Sequence, residues 1–175
     1  MKKMYKTVIL LFVVSIVFLS GCTAAGRKQS SSGIVFEARD MEGNTITEDV
    51  FSRSKLTMVN VWATYCNPCL AEMPGLGELA GEYNSKEFQI IGIVSDVQES
   101  SGQKAMDLAV DLIARTGADY THLLLNESLY YALLTNVSAV PTTFFIDEDG
   151  NILDTVVGSM EKSAWEEKIN ALLEK

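Results

Sequence analysis

Histidine and cysteine are scarce in this chain. There is one histidine, His122, and there are three cysteines, Cys22, Cys66 and Cys69. A structural zinc site takes four ligands, usually from two CxxC-like pairs. One pair does not supply them, so no metal is expected. Basic residues are also in deficit, with 14 Lys and Arg against 23 Asp and Glu and a net charge of −9. That balance argues against a nucleic-acid partner, whose phosphates demand the opposite sign, and reads most simply as solubility. No internal repeat is visible. No apolar run reaches the roughly 20 residues of a membrane-spanning helix. The longest candidate, Val8 to Leu19, has twelve residues.

That run has another reading. It follows Lys2, Lys3 and Lys6, and a positive start with a short apolar stretch is the layout of an export signal. The signal ends in Leu19-Ser20-Gly21-Cys22, which resembles the lipobox of bacterial lipoproteins. The resemblance implies cleavage before Cys22 and a diacylglycerol on its thiol, two acyl chains being enough for a stable anchor. An ordinary secretory signal with a chance cysteine is the alternative. We therefore expect residues 1–21 to be a lipoprotein signal peptide and 22–33, with their small polar residues, to be a lipidated flexible tether. A single domain is expected over 34–175. Loss of the three leading lysines would leave eleven basic against 23 acidic residues, a net charge of −12. The domain would work at the extracytoplasmic face of a bacterial cell membrane, where disulfides persist.

The domain reads as an alternation. Residues 34–47 suggest two short strands around a turn at Glu42-Gly43-Asn44. Lys55 to Ala63 is β-rich and apolar on both faces, as in a buried central strand. Asn67 to about Tyr83 has helical spacing, with Pro68 in the first turn and Pro74 inside, where a kink is expected. A second buried strand spans Phe88 to Asp96. An amphipathic helix ends near Gly117, and a short extended piece (YTHLLL) and a helix (ESLYYALLTN) follow. A hairpin turning at Asp149-Gly150 and a closing helix complete the chain. This order predicts an α/β fold with a parallel core, helices on both faces and an antiparallel edge from the late hairpin.

Cys66 and Cys69 fall between the first core strand and its helix. A CxxC there is the thioredoxin-like arrangement. The helix N-terminus offers free N–H groups and the positive end of a dipole, which favour thiolate over thiol at Cys66. Cys69 lies one turn on and can attack a mixed disulfide formed by Cys66. A disulfide used only as a staple would gain little here, because its loop is tiny.

VNVWATYCNPCLAEMP (Val59 to Pro74), followed about 70 residues later by VPTTFFIDEDGNI, resembles the TlpA/ResA-like family of thioredoxin-fold thiol-disulfide oxidoreductases. The resemblance covers roughly Ile34 to Lys175. It implies a thioredoxin-like fold, a central mixed sheet flanked by helices with an N-terminal β-hairpin. It also implies a redox-active Cys66–Cys69 disulfide without a cofactor, Cys66 attacking and Cys69 resolving. Trp62, Val140 and Pro141 would line a substrate groove, with Pro141 as a cis-proline and Val140 presenting its backbone to an incoming peptide. Thr142 is a weaker candidate, better explained as strand. Glu72, three residues beyond Cys69, would raise the Cys69 pKa and relay its proton. Asn60 stands where many thioredoxins carry a buried aspartate, so Glu72 would substitute for that acid. Asp96 at a strand end is a second candidate acid with a simple turn role as the competing reading. His122, among apolar neighbours, is expected to be structural.

The family implies a reductase of protein disulfides, fed by a membrane thiol donor of the CcdA or DsbD type, and we expect a monomer. Candidate substrates are apocytochrome c, an extracytoplasmic methionine sulfoxide reductase or a misoxidised exported protein. A disulfide-forming oxidase uses the same sulfurs and stays open. A Sco-like copper-delivery protein needs CxxxC rather than CxxC, and a peroxidase needs a lone peroxidatic cysteine.

Overall fold

A computed structural model describes residues 33–174; the signal, the Cys22 motif and most of the tether lie outside them. Two short strands, β1 (Glu37–Arg39) and β2 (Thr45–Thr47), pair antiparallel and form the expected hairpin. Its turn is held by Asp40, whose carboxylate accepts from the Glu42 and Asn44 amides. Gly43 sits at φ 88°, in the left-handed region that glycine enters without a Cβ clash. A 3-10 turn at Glu48–Arg53, which the sequence reading missed, buries Val50 and Phe51.

The main sheet is built from β3 (Leu56–Trp62), β4 (Phe88–Val94), β5 (Thr121–Leu124), β6 (Thr142–Asp147) and β7 (Ile152–Val157), in the spatial order β5-β4-β3-β6-β7. Strands β3, β4 and β5 run parallel, β6 is antiparallel to β3, and β7 is antiparallel to β6. The late hairpin therefore supplies more than an edge: β6 pairs directly with β3, and only β7 is outermost. All seven residues of β3 are buried, as a central strand requires.

Helix α1 (Asn67–Glu82) continues through Pro74, α2 (Gln103–Thr116) ends at Gly117 in the left-handed conformation, and α4 (Lys162–Leu173) closes the chain. Between them, α3 begins as one α turn at Glu127–Leu129 and continues as a π-helical turn at Tyr130–Leu134. No helix among the described residues is long and apolar enough to cross a membrane.

Alternation along the strands divides the core in two. Val59, Val61, Ile91, Ile93, Phe144 and Ile146 face the hairpin, the 3-10 turn and α3. Met58, Trp62, Ile90, Val94 and Phe145 face α1, α2 and α4. The second face carries the site.

Candidate functional site

Strand β3 ends at Trp62, and the Ala63–Cys66 turn closes with the Cys66 amide donating to the Ala63 carbonyl at 3.0 Å. Asp96, at the end of the neighbouring strand, accepts from both the amide and the hydroxyl of Thr64 in that turn. It anchors the loop that presents the cysteines. Cys66 is the N-cap of α1: its sulfur accepts from the Cys69 amide at 3.2 Å and its carbonyl from the Leu70 amide at 3.1 Å. Pro68 costs nothing here, because first-turn N–H groups have no partner within the helix.

The two cysteines form a disulfide with a Cα–Cα separation of 5.3 Å. Cys66 is 5% exposed and Cys69 is 0% exposed, so an incoming sulfur meets Cys66 first. Tyr65, 74% exposed, stands beside it, and Asn67 and Pro68 are also at the surface. The Val140–Pro141 bond is cis. Val140 is half-buried against the cluster that holds both cysteines. Thr142 is buried and donates its hydroxyl to the Ala139 carbonyl, which ties it to its own loop rather than to a groove.

Trp62 lies elsewhere than in an open groove. It is 0% exposed, packed with Cys66, Cys69 and Met73, and its indole Nε1 donates to His122 Nδ1 at 3.1 Å. It forms a buried floor beneath the cysteines, because the β-strand period turns it inward with Asn60 and Met58. His122 is buried. Its Nε2 lies 2.9 Å from the Ala118 carbonyl, so this nitrogen donates and Nδ1 accepts, which defines the neutral Nε2–H tautomer. Burial lowers its pKa from 6.5 to about 4. With both nitrogens committed, His122 is not free to serve as the distant ligand of a Sco-like copper site.

Glu72 is also buried, on the inner side of α1. Oε1 accepts from Asn60 Nδ2 at 3.0 Å; Oε2 accepts from the Met160 amide at 3.1 Å and from Trp165 Nε1 at 3.2 Å. Burial raises its pKa above 4.5, and the three donated hydrogen bonds pull against that rise. Asn60 Nδ2 also donates to Thr143 Oγ1, its partner in the β3–β6 register. A cleft of about 230 Å³ between Ala71, Gly75 and the Ser159–Lys162 segment opens onto Glu72.

Cys66, Cys69, Trp62 and Val140 thus share one cluster, and Glu72 and Asn60 are bonded to each other on the same side of the sheet. The sequence reading missed Trp165 and the Met160 amide as partners of Glu72, Thr143 as partner of Asn60, and His122 as partner of Trp62. Thr143 was legible in principle, since any residue opposite Asn60 on a paired strand shares its face. The other contacts depend on how distant helices dock.

Comparison with known proteins agrees with this geometry. The family model described as the AhpC/TSA family matches residues 32–155. The chain is 34% identical over 119 residues to the thioredoxin-like protein YneN of Bacillus subtilis, covering 68% of this chain and 66% of that protein. It is 29% identical over 140 residues to the thiol-disulfide oxidoreductase ResA of Halalkalibacterium halodurans, covering 80% and 74%. Among solved structures it resembles the pneumococcal exposed lipoprotein thioredoxin Etrx1 of Streptococcus pneumoniae, with a TM-score of 0.59 and 26% identity over 78% of this chain and 98% of that one.

Proposed function

The chain belongs to the AhpC/TSA family and is a ResA-like protein thiol-disulfide oxidoreductase, and on that premise we propose that it works as a reductase of protein disulfides outside the cytoplasm. The observation that carries the proposal is the asymmetry of the pair: Cys66 caps the helix and keeps 5% exposure beside the exposed Tyr65, Asn67 and Pro68, and Cys69 has none.

In the reduced enzyme, the helix N-terminus favours the Cys66 thiolate. That thiolate attacks one sulfur of a target disulfide; the Cys66–target bond forms, the target disulfide breaks, and the leaving thiolate takes a proton from solvent. Cys69 then gives up its proton and attacks Cys66. The Cys66–Cys69 bond forms, and the second target thiolate leaves and is protonated. The target gains two electrons and the enzyme is oxidised. In this scheme Glu72, whose pKa burial raises, is assigned the role of acceptor of the Cys69 proton. Val140, beside the pair, presents its backbone to the target chain.

A membrane dithiol carrier of the CcdA or DsbD type would return the electrons. A lipid on Cys22 would hold the domain within its reach at the outer membrane face, with 22–33 as the tether. The lipobox supports this, and so does the likeness to a pneumococcal lipoprotein thioredoxin. Apocytochrome c and a methionine sulfoxide reductase are the substrates to examine first, and the domain is expected to act as a monomer. Cys69→Ala tests the scheme. It should accumulate exported proteins in disulfide linkage to Cys66, released by dithiothreitol. Recovery of no disulfide-linked partner would overturn the exchange role.

A further inference from the structure

We propose that His122 is a positioning residue of the redox centre, which holds the Trp62 indole in place as the floor under Cys66 and Cys69. The inference rests on the exchange reading above. Four observations converge on it. Trp62 Nε1 donates to His122 Nδ1 in a fully buried contact, so the orientation of the indole depends on that acceptor. His122 itself is held from three sides: Nε2 donates to the Ala118 carbonyl, the Tyr120 ring stacks on it with centroids 4.5 Å apart, and β5 pairs it with Gly92. Gly92 makes the arrangement possible, since a Cβ there would lie 2.1 Å from His122 Nδ1. Finally, the Trp62 backbone is pinned where the cysteine turn begins, its carbonyl accepting from the Ser95 amide and hydroxyl.

The consequence is specific. Along the sheet, His122, Gly92 and Asn60 occupy one cross-strand row, two residues behind Trp62. A side chain on β5, which touches neither sulfur in the described contacts, thereby sets the surface against which the sulfurs exchange. The neutral tautomer is required, because an imidazolium has no acceptor to offer the indole.

Two substitutions separate this role from mere packing. In His122→Asn, the amide oxygen takes the place of Nδ1 and can keep the Trp62 bond. In His122→Gln, the amide nitrogen takes the place of Nε2 and keeps the Ala118 bond, leaving the indole without its acceptor. Both lose the ring and the Tyr120 stack, so both should lose comparable stability.

Reduction of a synthetic peptide disulfide, with dithiothreitol as reductant, gives the readout. We expect His122→Asn to keep kcat within about threefold and His122→Gln to lose about tenfold, with KM within twofold in both; such losses equate to small barrier changes. The Trp62 indole proton resonance should stay at its hydrogen-bonded position in His122→Asn and move in His122→Gln. In a Trp62→Phe background, His122→Gln should cost nothing further. Equal kcat in the two His122 variants, or a full additional loss on Trp62→Phe, would overturn the inference. If His122→Gln does not fold, Trp62→Phe alone decides: a tenfold lower kcat supports the role and an unchanged kcat refutes it. Failure of the wild-type protein to reduce the peptide would instead refute the exchange reading itself.

Discussion

The two faces of the central sheet are made by the same strands and behave as different materials. On one face, Val59, Val61, Ile91, Ile93, Phe144 and Ile146 meet the apolar side chains of the hairpin, the 3-10 turn and α3. On the other, one residue away along each strand, lie Asn60, Trp62, His122 and Thr143, and Glu72 reaches them from α1. These strand side chains are buried on both faces. One is held by area and packing; the other holds a carboxylate, an imidazole and two indoles in a net of directed bonds. A buried polar group without its partner costs about 1–3 kcal/mol, so such a net tolerates few changes. The contrast teaches that the sulfur chemistry is placed on the polar face and that the apolar face serves it as a foundation.

The comparison is broken most severely at Cys66. Cys66→Ser should lower the rate of peptide-disulfide reduction by more than about a thousandfold, as loss of a nucleophile does. A loss below tenfold would relocate the chemistry.

The next effect concerns pH. The folded pKa of His122, about 4, lies below its ordinary 6.5, so the unfolded chain takes up the proton first. Its contribution to stability is complete above pH 6.5 and declines as pH falls toward 4. The stability advantage of the wild type over His122→Asn should therefore shrink by about 3 kcal/mol between pH 7 and pH 4 in denaturant titrations. Glu72 has its pKa shifted upward and so works in the opposite direction, but it is present in both proteins and cancels in the difference. A constant difference across that range would show that His122 is not buried neutral.

Glu72→Gln should slow the resolving step about 100-fold near neutral pH, the lower end of the range for general acid–base catalysis. It should also flatten the acid limb of the rate profile, which in the wild type falls as Glu72 takes its proton. An unaltered profile would assign Glu72 to structure alone.

Ile91→Val, on the apolar face, sharpens the contrast from the other side. It should cost about 0.5–1.5 kcal/mol of stability and leave the exchange rate unchanged. A slowed exchange would mean that the two faces are mechanically coupled.

Much of the apolar face was legible from periodicity. Strand β3 and its all-buried run, the helix from Asn67, the Gly117 stop and the Asp149-Gly150 turn all lie where local chemistry predicts them, because each depends on neighbours close in sequence. So does the placement of Cys66 at a strand-to-helix junction. What escaped depended on docking. Trp62 has the same local signature whether it faces a groove or a floor, and only the β5 partner, 60 residues on, distinguishes them. Glu72 could be marked as one turn from Cys69, but its three donors come from β3, the loop before α4 and α4 itself. The π-helical turn at Tyr130–Leu134 carries an ordinary helical pattern, and nothing in its composition announces the wider ring.

The reductase reading is most directly tested by the reduction potential of the Cys66–Cys69 couple, measured by equilibration with glutathione or thioredoxin buffers. The account predicts a value near that of thioredoxin, about −270 mV. A value near about −120 mV, the range of strong disulfide donors, would reverse the direction of electron flow and contradict it.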